Sequence, residues 1–256
     1  THRLDIYNES LAKVEFLEKF EELTEKNTAV LNELPTAFDY IRLGHPLSCL
    51  LEWGFAKDLG LNPNSVISFS SQSMPILAVL RKNKFLGKRT KIVTLGELPQ
   101  NFDPEVLKSV YAYDFEIEKV ASISETSKFD GSTIVINGDR SSKADFIVNL
   151  YPGLGSVIQV MDNGAEYIKE IQHVRRRESI AMTPHDCLSV LKNMAGGIPL
   201  EVSNVDSSGL EKTIQNITQT SAPVGLGSCG LSVQYAIMMG LIHHANDTHK
   251  GKDIQF

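Results

Sequence analysis

Near the start of the chain, apolar residues recur at three-residue steps, at Leu11, Val14, Leu17, Phe20 and Leu23, among Glu and Lys. This spacing predicts an amphipathic helical stretch from Asp5 to about Leu34 whose narrow stripe needs a partner surface. A second helical pattern covers Pro46 to Gly60 and is stopped by Asn62-Pro63-Asn64. The period then changes. Ser65 to Phe69 is a short apolar run of strand type, Met74 to Lys82 is helical, and Ser70, Ser71 and Ser73 stand at the junction. Lys91–Leu95, Phe115–Val120, Thr133–Asn137 and Phe146–Leu150 are further β-branched runs separated by turns or helical segments. Strands alternating with helices predict an α/β fold, doubly wound around a mainly parallel sheet covered on both faces.

The later part is less regular. Met161 to Ser179 reads as a helix carrying Arg175-Arg176-Arg177, a run expected to face solvent or another subunit. Thr183 is the expected N-cap of another helix, with Pro184 at its first position and Gly196-Gly197 at its end. Residues 213–242 contain no Asp, Glu, Lys or Arg. Their apolar part, Val224 to Ile242, approaches the roughly 20 residues that cross a bilayer. Its glycines and Gln234 favour burial in a protein interface, which leaves a membrane-associated assembly as the lesser expectation. The expected organisation is a helical arm at 1–39, an α/β domain at 40–180 and a reduced, α-rich C-terminal region at 181–256.

Composition narrows the function classes. The 256 residues are 42% hydrophobic and 22% charged, enough for a sizeable core and unlike disordered, collagen-like or coiled-coil chains. A formal net charge of −6 gives no continuous basic surface, so no nucleic-acid partner is expected. Cys49, Cys187 and Cys229 are too few and too widely spaced for a disulfide framework or a zinc site. They read as buried thiols of a reducing compartment, the cytoplasm or the mitochondrial matrix. The chain opens at Thr1 with no charged-then-apolar signal, which would fit removal of a leader. His243 and His244 are adjacent, so they do not share a helix face, and no metal site is expected. Gly225-Leu226-Gly227-Ser228-Cys229-Gly230 fits G-x-G-x-x-G, but Thr218 to Pro223 before it makes a poor strand, and close helix packing is the better reading.

Three segments carry a resemblance. Tyr40-Ile41-Arg42-Leu43-Gly44-His45-Pro46, with Leu51-Glu52 and Ala56, is similar to Y-x-R-x-x-N-P-T-x-x-x-L-E-x-x-x-A. Ser70-Ser71-Gln72-Ser73-Met74, leading into Ile76-Leu77-Ala78-Val79-Leu80, is similar to S-S-G-M-A-A-I-x-A-V-L. Thr183-Pro184-His185-Asp186, with Leu188, Val190-Leu191-Lys192 and Ile198-Pro199-Leu200, is similar to S-P-x-D-x-x-L-L-L-R-G-L-K-T-L-P-L-R. In this order they resemble the fold-type I pyridoxal-phosphate enzymes of cysteine and methionine metabolism, the family of cystathionine γ-synthase, cystathionine γ-lyase and methionine γ-lyase. The resemblance implies that Tyr40 and Arg42 reach a phosphate across a subunit boundary, and that Ser71, Ser73 and Met74 form its cradle at a helix N-terminus. Hydroxyls and free N–H groups at such a turn suit an anion independently of any family.

The chemistry of that family is not matched. Its lysine follows a strand in A-D-x-V-V-H-S-x-T-K-Y-x-G, and here Ala144-Asp145-Phe146-Ile147-Val148-Asn149-Leu150 is followed by Tyr151-Pro152-Gly153, placing Gly153 at the lysine. The nearest downstream lysine is Lys169. The acid that pairs with the pyridine nitrogen falls on Asn137, and the ring-stacking tyrosine on Leu98. No arginine follows Arg177 to hold a substrate carboxylate. The resemblance therefore implies a degenerate homologue with no catalytic residues, acting as a structural or regulatory subunit. Pyridoxal phosphate or phosphate would be held weakly and without a covalent bond. The expected setting is a homo- or hetero-oligomer, with a related active subunit or within a larger complex. The alternatives are an active lyase or synthase whose lysine lies elsewhere, and a noncovalent phosphate-binding module.

Overall fold

The computed structural model describes residues 9–25, 27–35, 38, 40–99, 101–122, 127–139, 141–202, 207–250 and 252. Among these the strands are β1 (Val66–Phe69), β2 (Thr90–Thr94), β3 (Phe115–Lys119), β4 (Ser132–Ile136), β5 (Phe146–Tyr151) and β6 (Gly155–Val160). They form one sheet in the order β1-β6-β5-β4-β2-β3. The pairings β2–β3, β2–β4 and β4–β5 are parallel, whereas β6 runs antiparallel to both β1 and β5. Five strands therefore point one way and β6 the other. The sheet is mostly parallel, and the chain is α/β, as the strand–helix alternation predicts.

The helices are α1 (Glu9–Glu22), α2 (Thr28–Asn32), α3 (Pro46–Leu59), α4 (Met74–Leu86), α5 (Pro104–Ser109), α6 (Ile168–Glu178), α7 (Pro184–Gly196), α8 (Ser207–Thr218) and α9 (Gly230–Thr248). Alternation within the strands assigns them to faces. Ile67 and Phe69 of β1, with Ile92, Ile134, Ile136, Phe146, Val148 and Ile158, pack against α4, α5 and α6. Val66 and Val157 point the other way, into a cluster with Leu51 and Ala56 of α3 and Cys187 and Val190 of α7. The sheet is thus covered on both sides along β1, β2 and β6 and most of β4 and β5, whereas edge strand β3 alternates Phe115 and Ile117 with half-exposed Glu116 and Glu118.

Four local readings change. Gly155–Val160, left unassigned between a strand and a helix, is β6, and Met161–Ser179 splits into a 3₁₀ segment at Asp162–Tyr167 followed by α6. Pro152-Gly153-Leu154 is then a hairpin turn: Leu154 N–H donates to the Tyr151 carbonyl (2.9 Å) and Gly153 takes φ +76°. In α1 the buried face is Ala12, Lys13, Phe16, Leu17 and Phe20. A three-residue step lags about 60° per step on an α-helix, so a stripe at that spacing drifts off any single face. The expected stretch to Leu34 is interrupted between α1 and α2, and its start at Asp5 lies outside the described residues.

Arg175 does not face solvent. It is buried and donates to Glu52 Oε1 (2.8 Å), while Lys13 donates to Glu52 Oε2 (2.6 Å). The uncharged 213–242 stretch is divided between α8 and α9, and among the described residues no helix is long and apolar enough to cross a membrane. Thr183 caps α7 as expected, its hydroxyl accepting from the Asp186 N–H.

Candidate functional site

Parallel strands present their C-terminal ends, and the loops leaving them, along one edge of the sheet. The turn from β1 into α4 and the β5–β6 hairpin meet there. Ser156 Oγ donates to the Ser71 carbonyl (2.6 Å), and Gln72 Nε2 donates to the Tyr151 carbonyl (3.2 Å). Gly155 makes the approach possible: at φ +140°, a Cβ on it would run into the Phe69 carbonyl oxygen.

Between these loops lies a cavity of about 300 Å³ lined by the Ser70–Ser73 turn, Pro99, Asn101, Gly153 and Gly155. The structure therefore brings the expected cradle residues Ser71 and Ser73 together with the position that aligns with the lysine. Met74 opens α4 behind them, and its N–H is already taken by Ser71 Oγ (3.2 Å). Ser71 is in effect the side-chain cap of α4, since Ser73 occupies the N-cap position without capping. Pro75 has no N–H to offer. Among the described lining residues none is charged.

Tyr40 and Arg42 stand elsewhere in this chain. Tyr40 is exposed. Arg42 donates from Nε to the Ser179 carbonyl (3.2 Å) and from Nη2 to the Arg177 carbonyl (3.0 Å), satisfying carbonyls that α6 leaves unpaired at its C-terminus. The same end of α6 receives Cys229 Sγ on the Arg177 carbonyl and Ser228 Oγ on the Glu178 carbonyl. The G-x-G-x-x-G segment thus delivers the N-terminus of α9 to α6.

The remaining aligned positions are likewise engaged. Asn137, at φ +54°, accepts from the Leu150 N–H through Oδ1 (2.8 Å), which extends the β4–β5 pairing past its last backbone bond. Leu98 packs against the core cluster under α4 and α5. At Gly153 the direction a Cβ would take is filled by Val202 Cγ1. Gln72, Asn101 and Gly155 also line the cavity; the only advance sign of them is polar and glycine residues at turns that follow strands.

No family model matches the sequence, and no curated protein matches it. Solved structures resemble it in fold. One is described as a putative L-allo-threonine aldolase from Listeria monocytogenes, with 12% identity, 92% of this chain and 98% of that chain covered and a TM-score of 0.40. MetB from Corynebacterium glutamicum gives 15% identity over 60% of this chain and 52% of that one, with a TM-score of 0.35. An 8-amino-7-oxononanoate synthase from Francisella tularensis gives 13% identity over 95% and 94%, with a TM-score of 0.37. Likeness at this level says nothing of substrate or cofactor.

Proposed function

We propose that this chain is a non-catalytic protein on a fold resembling the pyridoxal-phosphate transferases, serving as a structural or regulatory subunit of a larger assembly. The observation that carries this reading is Gly153, which lines the cavity at the hairpin tip with its Cβ direction filled by Val202. The residues present do not fit a covalently held pyridoxal phosphate. Such a cofactor needs a lysine to bind it, an acid for its ring nitrogen and a cation for its phosphate. The described lining of the cavity offers hydroxyls, amides and glycines.

The test is incubation with pyridoxal phosphate, borohydride reduction and peptide mass mapping. No stoichiometric adduct is expected; an adduct concentrated on one buried lysine would overturn the reading. Association is tested by sedimentation: the exposed apolar residues of α9, Leu231, Ile237, Met238 and Leu241, call for a covering surface. A stable monomer at micromolar concentration would count against the subunit role.

A noncovalent ligand at the same cavity is the second reading, favoured by the convergence of Ser71, Ser73, Gln72 and Asn101 on one space. With Arg42 committed to α6, neutral donors would hold an anion there, and affinity would be weak. Inorganic phosphate titrated against Ser73→Ala and Arg42→Ala separates the cases. Loss of binding in Ser73→Ala supports the cavity, and loss in Arg42→Ala alone would place the anion at α6.

A further inference from the structure

A second cavity, of about 130 Å³, lies where α4, α6 and α9 meet the segment between α5 and β3, and it shares no lining residue with the Ser70–Ser73 cavity. Its walls are mainly apolar, with Met74, Leu77 and Ala78 coming from α4 and Val174 from α6. Tyrosine rings add to them. Tyr111 stacks on Tyr113, their centroids 5.7 Å apart, and meets Tyr235 of α9 at 6.0 Å. Protein interiors hold few voids larger than a water molecule, and a water needs several polar partners to stay in one. Apolar walls supply few. An apolar cavity of roughly 150 Å³ stays dry and takes up benzene, so the space here matches a single aromatic ring.

The polar end of the cavity is built and balanced in charge. Arg81 lies between two carboxylates, donating to Glu178 Oε1 from Nη1 (2.6 Å) and to Glu170 Oε1 from Nε (3.1 Å) and Nη2 (2.9 Å). The Glu178 side chain is 13% exposed and lines the cavity. A carboxylate has about four acceptor positions, so the bonds to Arg81 leave capacity for a donor within the cavity. Lys84 donates to the Tyr111 carbonyl (2.7 Å) and stands 5.9 Å from the centre of the Tyr113 ring. Two cations therefore face two carboxylates, and the site calls for a neutral occupant. Burial, with smaller contributions from Tyr235 and Glu178, pushes the Tyr111 and Tyr113 phenols above their ordinary value, so both rings stay neutral. The last wall is α9, through Ser232, Tyr235 and Ala236, and α9 contains no buried residue. That wall can move aside without opening the core, which gives a route in.

We infer that this cavity binds a small neutral molecule of one aromatic ring bearing an O–H or N–H donor, a phenol in the simplest case. The ring fills the space among Met74, Leu77 and the tyrosines, where a thioether and aromatic edges favour an aromatic partner. Its donor bonds to Glu178, a charge-assisted contact.

Titration of the full chain with phenol, toluene, benzoate and benzylamine tests this, calorimetry giving the affinity and the Met74 methyl resonance the location. One-to-one saturable binding of phenol is expected, about fivefold tighter than toluene, with a shift of the Met74 methyl signal. Benzoate and benzylamine should not bind. Glu178→Gln keeps an acceptor but removes its charge, and should bring phenol close to toluene while leaving toluene unchanged. Ala78→Leu fills the cavity and should abolish binding of both, with the circular dichroism of the fold kept. No saturation by phenol, phenol no tighter than toluene, a charged probe binding as tightly as phenol, or an unmoved Met74 methyl would each overturn the proposal. So would unchanged phenol affinity in a folded Ala78→Leu. If that variant does not fold, the Met74 shift in wild type and the Glu178→Gln comparison decide.

Discussion

Replacing Glu52 with glutamine removes one negative charge from the interior and should destabilise the protein more than any exposed substitution. Glu52 accepts from Lys13 (2.6 Å), Arg175 (2.8 Å), and the Ser68 N–H (2.8 Å) and hydroxyl (2.7 Å). The carboxylate is 2% exposed, Lys13 4% and Arg175 3%, so water screens none of these bonds. An amide in its place would keep one acceptor oxygen but remove the negative charge that two buried cations share. Breaking a buried ion network in this way costs about 3–5 kcal/mol, which lowers the melting temperature on the order of 10 °C for a chain of this size. Urea unfolding of Glu52→Gln against wild type measures it directly. Burial alone would push the Glu52 carboxyl up, but Lys13, Arg175 and the hydrogen bonds from Lys13 and Ser68 more than offset this, and the pKa lies below the ordinary carboxylate range. A depressed folded pKa gives stability that is present above the unfolded value of about 4.3 and is lost as pH falls from there through the folded pKa. Glu52→Gln should remove that part of the acid limb. The triple replacement Lys13→Met, Glu52→Leu, Arg175→Met should recover most of the loss, since apolar side chains often substitute for a buried ion network at little cost. A Glu52→Gln cost below about 1 kcal/mol, or a triple variant no more stable than the single one, would refute the reasoning.

Gly155→Ala should cost about 1–3 kcal/mol from strain at φ +140° alone and accelerate amide exchange along β1 and β6, read by hydrogen–deuterium exchange. His45 caps α3 through Nδ1, which fixes Nε2–H as the donor to the Met182 carbonyl (2.8 Å). Burial lowers its pKa against the opposing pull of that hydrogen bond, so its contribution is present above about pH 6.5 and is lost as pH falls toward the folded value. His45→Asn should keep the cap, lose about 1 kcal/mol and flatten the stability profile in that window. Burial pushes the Cys49 thiol up to about 12 and also raises that of Cys187, whereas hydrogen bonds from Ser232 bring partly exposed Cys229 below the ordinary thiol value despite its partial burial. A thiol reagent should therefore modify Cys229 first in the native protein, and all three after denaturation.

The sheet was legible because its strands are short β-branched runs, apolar on both faces at its centre and alternating at β3, a signal that needs no partner to be read. Strand β6 was missed for a physical reason: Pro152-Gly153 is as good a hairpin turn as it is an interrupted motif, and aligning Gly153 with a lysine hid the turn. The buried network was illegible because its three charges lie on α1, α3 and α6, and no local pattern announces that Lys13 and Arg175 will meet one carboxylate. The same holds for the amide relay between Asn149 and Gln159, which exists only once β5 and β6 pair in antiparallel register. Ser71 and Ser73 could be placed at a strand–helix junction from sequence. That Arg42 donates to the end of α6 could not, since both ends of its bonds are set by the packing of a helix 135 residues away.

That contact bears on how the resemblance is weighed. Four residues of the aligned motifs have bonds within this chain that need no ligand. Arg42 closes the C-terminus of α6, Ser71 caps α4, Glu52 anchors two buried cations, and Asn137 takes up the Leu150 N–H. A motif of this kind is therefore explained by architecture wherever its side chains are already satisfied. Ligand chemistry is better sought where a buried polar atom is left open. By that criterion the Ser70–Ser73 cavity is a quiet site, whereas the buried, unpaired Gln159 Oε1 costs the fold about 1–3 kcal/mol. Gln159→Met should accordingly be no less stable than wild type, allowing for the lost donor to Asn149. A variant that melts well below wild type in thermal unfolding would show that Oε1 is already bonded and would refute the assignment of an open acceptor.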